Sequence, residues 1–414
     1  MSRRAVTISE LIKENIADLQ TGPFGTVLKA AEYSETGVPL ISVREIRNGF
    51  FEITADTPRI DEKTTAKLPK YVLKHGDIVF GRKGGVERNA RVNEAQDGWF
   101  LGSDGIRLRL SSTIDSKFIS YQVRHPQIKS WLIQNSGGST MLSLNQKILG
   151  RLPLVLPPLK TQQAIAHILG TIDDKIDLNR RMNETLEAMA QAIFKSWFVD
   201  FDGCTEFEDS ELGRVPKGWR VAKIGDEISV VGGGTPATKN KDFWEGGTIH
   251  WTTPKDLSQS TEKLLLTTGR KITSKGLAKI SSGLLPVNTV LLSSRAPVGY
   301  LALAKIPVAV NQGYIAMKCD KELSPEYVIQ WCNSIMGEIK NRASGTTFAE
   351  ISKKNFRNIS VLVPEPSIME KYSEIVAGYY DKIHANCKES QNLELIRDSL
   401  LPKLISGSID LGDK

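Results

Sequence analysis

The chain has 414 residues, a net charge of +7 and a pI near 9.0, enough length for two or three domains with substantial cores. Hydrophobic residues make up 40% and no run of about 18 apolar residues occurs, which argues against a membrane span. Met1 to Val6 leads into a polar amphipathic stretch rather than a signal peptide core, so a cytoplasmic protein is expected; four scattered cysteines (Cys204, Cys319, Cys332, Cys387) argue against a disulfide framework or a zinc site.

Residues 1–157 carry short β-type runs broken by Gly, Pro, Asn and Asp, among them Val38–Val43, Asp77–Phe80 and Ile106–Leu110, with a helical piece over Ser116–Val123. Between the second and third runs lies a glycine-containing basic stretch holding Arg82, Lys83, Arg88, Asn89 and Arg91. Forked donors for base edges and plain cations for phosphates are what DNA reading needs, so this loop is a candidate DNA contact. A solvated charged loop is the other reading. Ser139, Thr140 and Lys147 follow, as backbone contacts or helix caps.

After Pro157-Pro158 the pattern changes. Residues 158–200 read as one long helix with Ile165, Ile172, Asn179, Leu186 and Ile193 at heptad position a, although Lys175 at d weakens the pattern. The helix ends in Phe194, Trp197 and Phe198, read either as a docking patch for a partner subunit or as packing on the neighbouring domain. The acidic segment 201–215 reads as a solvated linker.

Residues 216–365 form a second α+β domain, with β-type runs Thr289–Leu292 and Ile359–Val363 and a helical piece over Pro325–Trp331. Candidate DNA contacts there are Lys239, Ser294, Arg295, Gln312, Thr346, Thr347, Lys353, Lys354 and Asn355. Residues 366–414 hold the second long helix and a tail, with Tyr372, Tyr379, Asn386, Leu393 and Leu400 at a. Helices of nearly 40 residues would be roughly 55–60 Å long at the α-helical rise. They are expected to pair antiparallel as a coiled coil, Asn179 and Asn386 setting the register; the alternative is two amphipathic helices that each pack on their own domain.

The order domain, helix, domain, helix is a duplication. Gly138 and Gly345, Thr140 and Thr347, Lys147 and Lys354, Pro157 and Pro364, Asp174–Ile176 and Asp381–Ile383, and Asn179 and Asn386 all stand 207 positions apart, half the chain length. Upstream the likeness loosens, as in Gly76–Phe80 against Asn288–Leu292. One support carrying two different readers would leave this trace.

Catalytic motifs are missing from the sequence. No Asn/Asp-Pro-Pro-aromatic tetrapeptide of an adenine methyltransferase is present, and Gly232–Gly234 lacks the Gly-Lys-Ser/Thr of a phosphate loop and reads as a tight turn. Asp61-Glu62-Lys63 has no partnered upstream Pro-Asp and reads as surface charge. The five histidines form no constellation, and His75 reads as a polar loop residue.

The stretch Gly233-Gly-Thr-Pro236 with Phe243-Trp244 and Ile249-His-Trp251 resembles the opening of a target-recognition domain in specificity subunits of type I restriction-modification systems. Gly22-Pro-Phe-Gly-Thr26 with Gly37-Val-Pro-Leu-Ile41 is similar to the other common opening, and Leu152–Pro158 with Gln162-Gln163 to the family's approach to its helix. The second approach, Pro364–Met369, departs by lacking the glutamine pair. The resemblance covers nearly the whole chain. It implies two target-recognition domains separated by two antiparallel helices, each domain reading one half of a split double-stranded DNA site. It implies no catalytic centre and no cofactor on this chain. Two modification subunits with S-adenosylmethionine, and restriction subunits with ATP and Mg, would be its partners. A fused stand-alone modification enzyme and a coiled-coil adaptor that binds only proteins are the competing readings.

Overall fold

A computed structural model describes residues 3–138, 140–258, 262–295, 297–344, 349–409 and 411. It divides into two units, residues 1–177 with 390–414, and residues 178–389. Each unit has its own sheets and its own core.

The first unit has a four-stranded antiparallel sheet in the order Ala17–Thr21, Gly105–Leu110, Ile78–Gly81, Asn89–Arg91. Strand Ile78–Gly81 is buried along its whole length, as a continuous apolar run demands of a central strand. Ile78 and Phe80 face a core shared with Phe118, Leu149, Ile165, Leu169, Leu401 and Leu404. Val79 faces the other way, toward Ile41, Phe100 and Leu101. The latter residues belong to a three-stranded sheet, Arg59–Ile60, Val38–Ile41 and Phe100–Leu101, whose last pair is parallel. Arg4–Thr7 pairs with Pro153–Leu156 in a separate ribbon.

The second unit repeats this plan strand for strand. Its main sheet runs Ser229–Val231, Tyr314–Lys318, Val290–Ser293, Leu301–Ala304, with Leu264–Leu265 added at the edge. Arg270–Ile272, Ile249–Thr252 and Ala309–Val310 form the three-stranded sheet, again with a parallel last pair, and Arg220–Lys223 pairs with Ser360–Val363. Helix caps are repeated too. Asp115 and Ser324 accept from Phe118 N and Tyr327 N, while Asn145 and Ser352 accept from Ile148 N and Asn355 N. The duplication seen in the sequence is therefore a duplication of topology, even where residue identity has drifted.

The long helices span Leu159–Phe198 and Pro366–Ser406. Within the first unit Ile165 and Leu169 share a core with Leu401 and Leu404, and Asp173 meets Arg397. Within the second, Asn179 and Asn183 meet Asn386 and Cys387, and Phe198 meets Tyr372. Rising numbers on one helix meet falling numbers on the other, which is antiparallel packing.

The heptad reading needs correction. Of the ten expected a residues, Ile165, Asn179, Tyr372 and Asn386 are fully buried, whereas Ile172, Leu186, Ile193, Tyr379, Leu393 and Leu400 are half-buried. The d residues Ile375 and Ile396 are 40% and 48% exposed. In the second helix the buried stripe is Met369, Tyr372, Val376, Tyr380, Ile383 and Cys387, spaced at 3 or 4. That is the 3.6-residue period of a helix lying on a globular core, wider than a two-helix seam. Both alternatives raised by the sequence are thus realised: the helices meet each other and also pack on the domains.

Segment 201–215 is not a bare linker. Phe207–Ser210 pairs with Gly213–Pro216 as a hairpin, and Val215 is 2% exposed, packed with Trp219 in the core of the second unit. Two of its carboxylates are ion-paired, Glu206 with Lys217 and Glu211 with Lys223. No helix of the described residues is long and apolar enough to cross a membrane.

Candidate nucleic-acid interface

In the first unit four chain segments converge beyond the strand Ile78–Gly81. Arg82 N donates to Asp104 O at 2.8 Å, and Arg82 O accepts from Leu144 N at 2.8 Å. Lys83 is bridged to Ser143, which in turn bridges Gly137. The opening segment closes the group: Gly22 N donates to Gly105 O, and Gln146 Nε2 reaches Thr21 Oγ1 at 3.1 Å. A Cβ on Gly22 would stand 1.8 Å from Gly102 O, so only glycine lets the backbones approach.

The charged side chains at this junction are partly preset. Arg82, 19% exposed, donates to Ser103 O and lies 3.7 Å from the Asp104 carboxylate. Its guanidinium stands 4.9 Å from the ring of Phe24, which is 52% exposed. Lys83, 47% exposed, is 3.4 Å from the same carboxylate. One anion thus orients two cations at the surface, with an aromatic face beside them. Thr140 and Lys147 are exposed in the same region of sequence, and Arg88 lies 3.7 Å from its neighbour Glu87.

The second unit builds the same junction from different side chains. Ser294 N donates to Gly313 O, Ser294 O accepts from Ile351 N, and Arg295 is bridged to Glu350, which bridges Ser344. Ser294 stands where Arg82 stands, and Arg295 where Lys83 does. The Arg295 guanidinium is 3.8 Å from Glu350. Gly233 comes as near to Val310 O as Gly22 does to Gly102 O, 1.8 Å from a notional Cβ. The glycine run thus serves a close backbone approach rather than the tight turn expected. Thr235 Oγ1 donates to Gln312 Oε1 at 2.6 Å, orienting an exposed amide. Lys353 lies against Gly232, while Lys239, Lys354 and Asn355 are exposed.

Some sequence candidates lie elsewhere. Asn89 is fully buried and accepts from Ser120 Oγ at 3.1 Å; Arg91 donates from Nε to Ser116 Oγ at 2.8 Å and meets His75 Nε2 at 3.0 Å. Both belong to a strand whose alternate residues turn toward the helix Ser116–Arg124, so they hold the domain together and leave the surface set. Burial also lowers the pKa of the Arg91 guanidinium. Ser294 is 3% exposed, so it contributes backbone architecture and no surface hydroxyl. Ser139, Thr346 and Thr347 lie outside the described residues. Asp61 caps a helix through Thr64 N at 2.8 Å, as surface charge with a structural use. Phe24, Asp104, Gln146 and Thr235 are the residues that sequence reasoning missed. The glycines flanking the opening motifs were their one signal.

The aromatic end of the first long helix is also reassigned. Phe194 and Phe198 are 4% and 6% exposed, inside a cluster with Trp219, Tyr327 and Tyr372. They are core, and no docking patch is left on them; Trp197 is half-buried against Tyr372, 6.2 Å between rings.

Where the first long helix crosses the first unit, Asp173 accepts from Tyr121 Oη at 2.7 Å, Arg124 Nη2 at 3.2 Å and Arg397 Nη1 at 2.8 Å. Burial alone raises its pKa, yet the two guanidinium groups hold the carboxyl below the usual carboxylate range. In the second unit Glu187 accepts from Lys263 at 3.0 Å and Gln330 at 3.1 Å, and is likewise lowered against the burial effect.

Two diverged α+β units with equivalent surface junctions define a duplicated, two-domain protein. The family described as type I restriction modification DNA specificity domain matches residues 15–188 and again 216–395, and the chain belongs to this family. Among similar proteins, the type I restriction enzyme MjaIX specificity subunit of Methanocaldococcus jannaschii is 36% identical over 203 residues. That alignment covers 48% of this chain and 46% of the relative. The HindI specificity subunit of Haemophilus influenzae is 26% identical over 340 residues, 67% of this chain and 73% of its own. The fold matches the crystal structure of a type I restriction-modification system S subunit from M. genitalium with a TM-score of 0.57. Identity there is 16%, over 98% of this chain and 96% of the other.

Proposed function

We propose that the chain is the DNA sequence-specificity subunit of a type I restriction-modification complex, and that each unit reads one half of a bipartite double-stranded site. The observation that carries this is the repeated junction: the same hydrogen bonds hold Arg82-Lys83 in one unit and Ser294-Arg295 in the other. One backbone with two side-chain sets is what two different half-sites require, because backbone contacts position a protein and side chains specify bases. The long helices set the unread spacer. Adenine methylation is the work of two partner modification subunits carrying S-adenosylmethionine. ATP and Mg belong to restriction subunits, and this chain contributes no catalytic residue and no cofactor. The complex works in the cytoplasm.

The test is to co-express the chain with a cognate modification subunit and map methylated adenines across the genome. A bipartite motif with a fixed spacer is the expected result. Methylation by this chain alone would point to a stand-alone enzyme, and no sequence preference at all would point to an adaptor.

A further inference from the structure

The three-stranded sheet of the second unit carries an arginine that none of the preceding assignments uses. The Arg270 guanidinium stacks 3.6 Å above the Trp244 ring and 5.4 Å from Trp251. The two indoles stand nearly perpendicular, 5.0 Å apart. Each is locked by its own N–H: Trp244 Nε1 donates to Ala237 O at 3.2 Å and Trp251 Nε1 to Gly234 O at 3.0 Å. The platform is therefore tied to the opening segment, whose Thr235 holds the exposed Gln312 amide.

Arg270 is exposed, and among the described residues its guanidinium has neither a carboxylate nor a hydrogen-bond acceptor. The nearby acid does not serve it. Asp256 accepts from Gly269 N at 2.9 Å and Thr253 N at 2.7 Å, so both its oxygens bind backbone. Strand register puts Pro58 of the first unit in the place of Arg270 and Arg59 in that of Lys271, and Arg59 is occupied internally by Gly37 O at 2.8 Å. Stacking restrains the plane of a guanidinium and leaves its in-plane donors available, the arrangement a bidentate base contact requires. A phosphate contact has no need of a fixed plane, and the exposed Lys271 and Lys239 supply plain cations for that role.

We infer that Arg270, held flat on Trp244, is a base-reading fork of the second unit and recognises guanine through its O6 and N7 acceptors in the major groove. The assignment rests on the DNA-reading function proposed above. Its test uses the full chain assembled with its modification subunits. The wild-type motif is mapped first, then binding is measured to duplexes altered one base pair at a time in both half-sites. Arg270→Lys keeps the charge and removes the fork. It should lose roughly 5- to 150-fold discrimination at one G·C pair of one half-site and leave the other half-site unchanged. Arg270→Ala should lose the same discrimination. A thermal midpoint close to wild type for both shows that the exposed residue was not needed for folding.

Full discrimination in Arg270→Lys, with Arg270→Ala weakening all duplexes evenly and flattening the salt dependence by about one ion, would make Arg270 a phosphate contact and overturn the inference. Unchanged binding in both variants would overturn it as well. A wild-type complex without any bipartite preference would instead defeat the function on which the inference depends.

Discussion

The two units share a strand plan, yet they hold the long helices by different chemistry. In the first, the helix is tied to the domain through Asp173, Tyr121, Arg124 and Arg397, an ion cluster whose arginine side chains are only 6% and 13% exposed. In the second, a carboxylate tie of Glu187 to Lys263 and Gln330 is joined by an aromatic cluster, Phe194 and Phe198 among Tyr327, Tyr372 and Trp219 with ring centroids 4.9 to 6.3 Å apart. The lesson is that a duplicated support conserves where a helix docks, while the side chains that dock it are free to change class if they fill and satisfy the site.

The comparison can be broken from its strongest end. Phe198→Ala removes a ring that touches five other aromatic rings in and against this core, and should cost the second unit about 3–5 kcal/mol, read as reduced hydrogen-exchange protection over residues 324–334. The loss should not vary between pH 7 and pH 4. Asp173→Asn should cost the first unit about 3 kcal/mol at pH 7. It takes from Arg124 its carboxylate and leaves Arg397 with Asp398, and the 25% exposure of Asp173 keeps the figure at the low end.

Acid tests the tie of the first unit directly. The Asp173 pKa is lowered in the fold, so its contribution is fully present above the unfolded value near 3.9 and is lost as pH falls through the lower folded value. Wild type should show this acid step in the first unit and Asp173→Asn should lack it. An acid step of equal size in the variant would refute the assignment.

A smaller effect concerns the junctions. Replacing Arg82 and Lys83 together by alanine should change recognition of one half-site by about 1–3 kcal/mol, and Arg295→Ala should change the other; equal loss at both halves from either variant would show a general electrostatic role. Smallest are the repeated caps. Asn145→Ala and Ser352→Ala should each cost about 1 kcal/mol in their own unit by chemical denaturation, and glycine at the same positions only a few tenths.

Much of the architecture was legible beforehand. The 207-residue repeat, the proline stops and the apolar runs Asp77–Phe80 and Thr289–Leu292 led to two α+β domains and two long helices, and central buried strands are found at those runs. The junctions were half legible. Lys83 and Arg295 were named from charge and spacing, but Asn89 and Arg91, drawn from the same basic stretch, turn toward a helix and serve the core.

The sequence by itself determined the period, the order of elements and the opening glycines, because these are local patterns that backbone geometry reads directly. Tertiary structure alone decided which face of Asn89–Arg91 is inward, that Asp173 meets residues 49 and 224 positions away, and that Arg270 lies on Trp244. Those outcomes depend on which surfaces pack together. Side-chain partners far apart in the chain are selected by close packing and by the need to satisfy every buried charge, and neither requirement leaves a mark in the neighbouring residues.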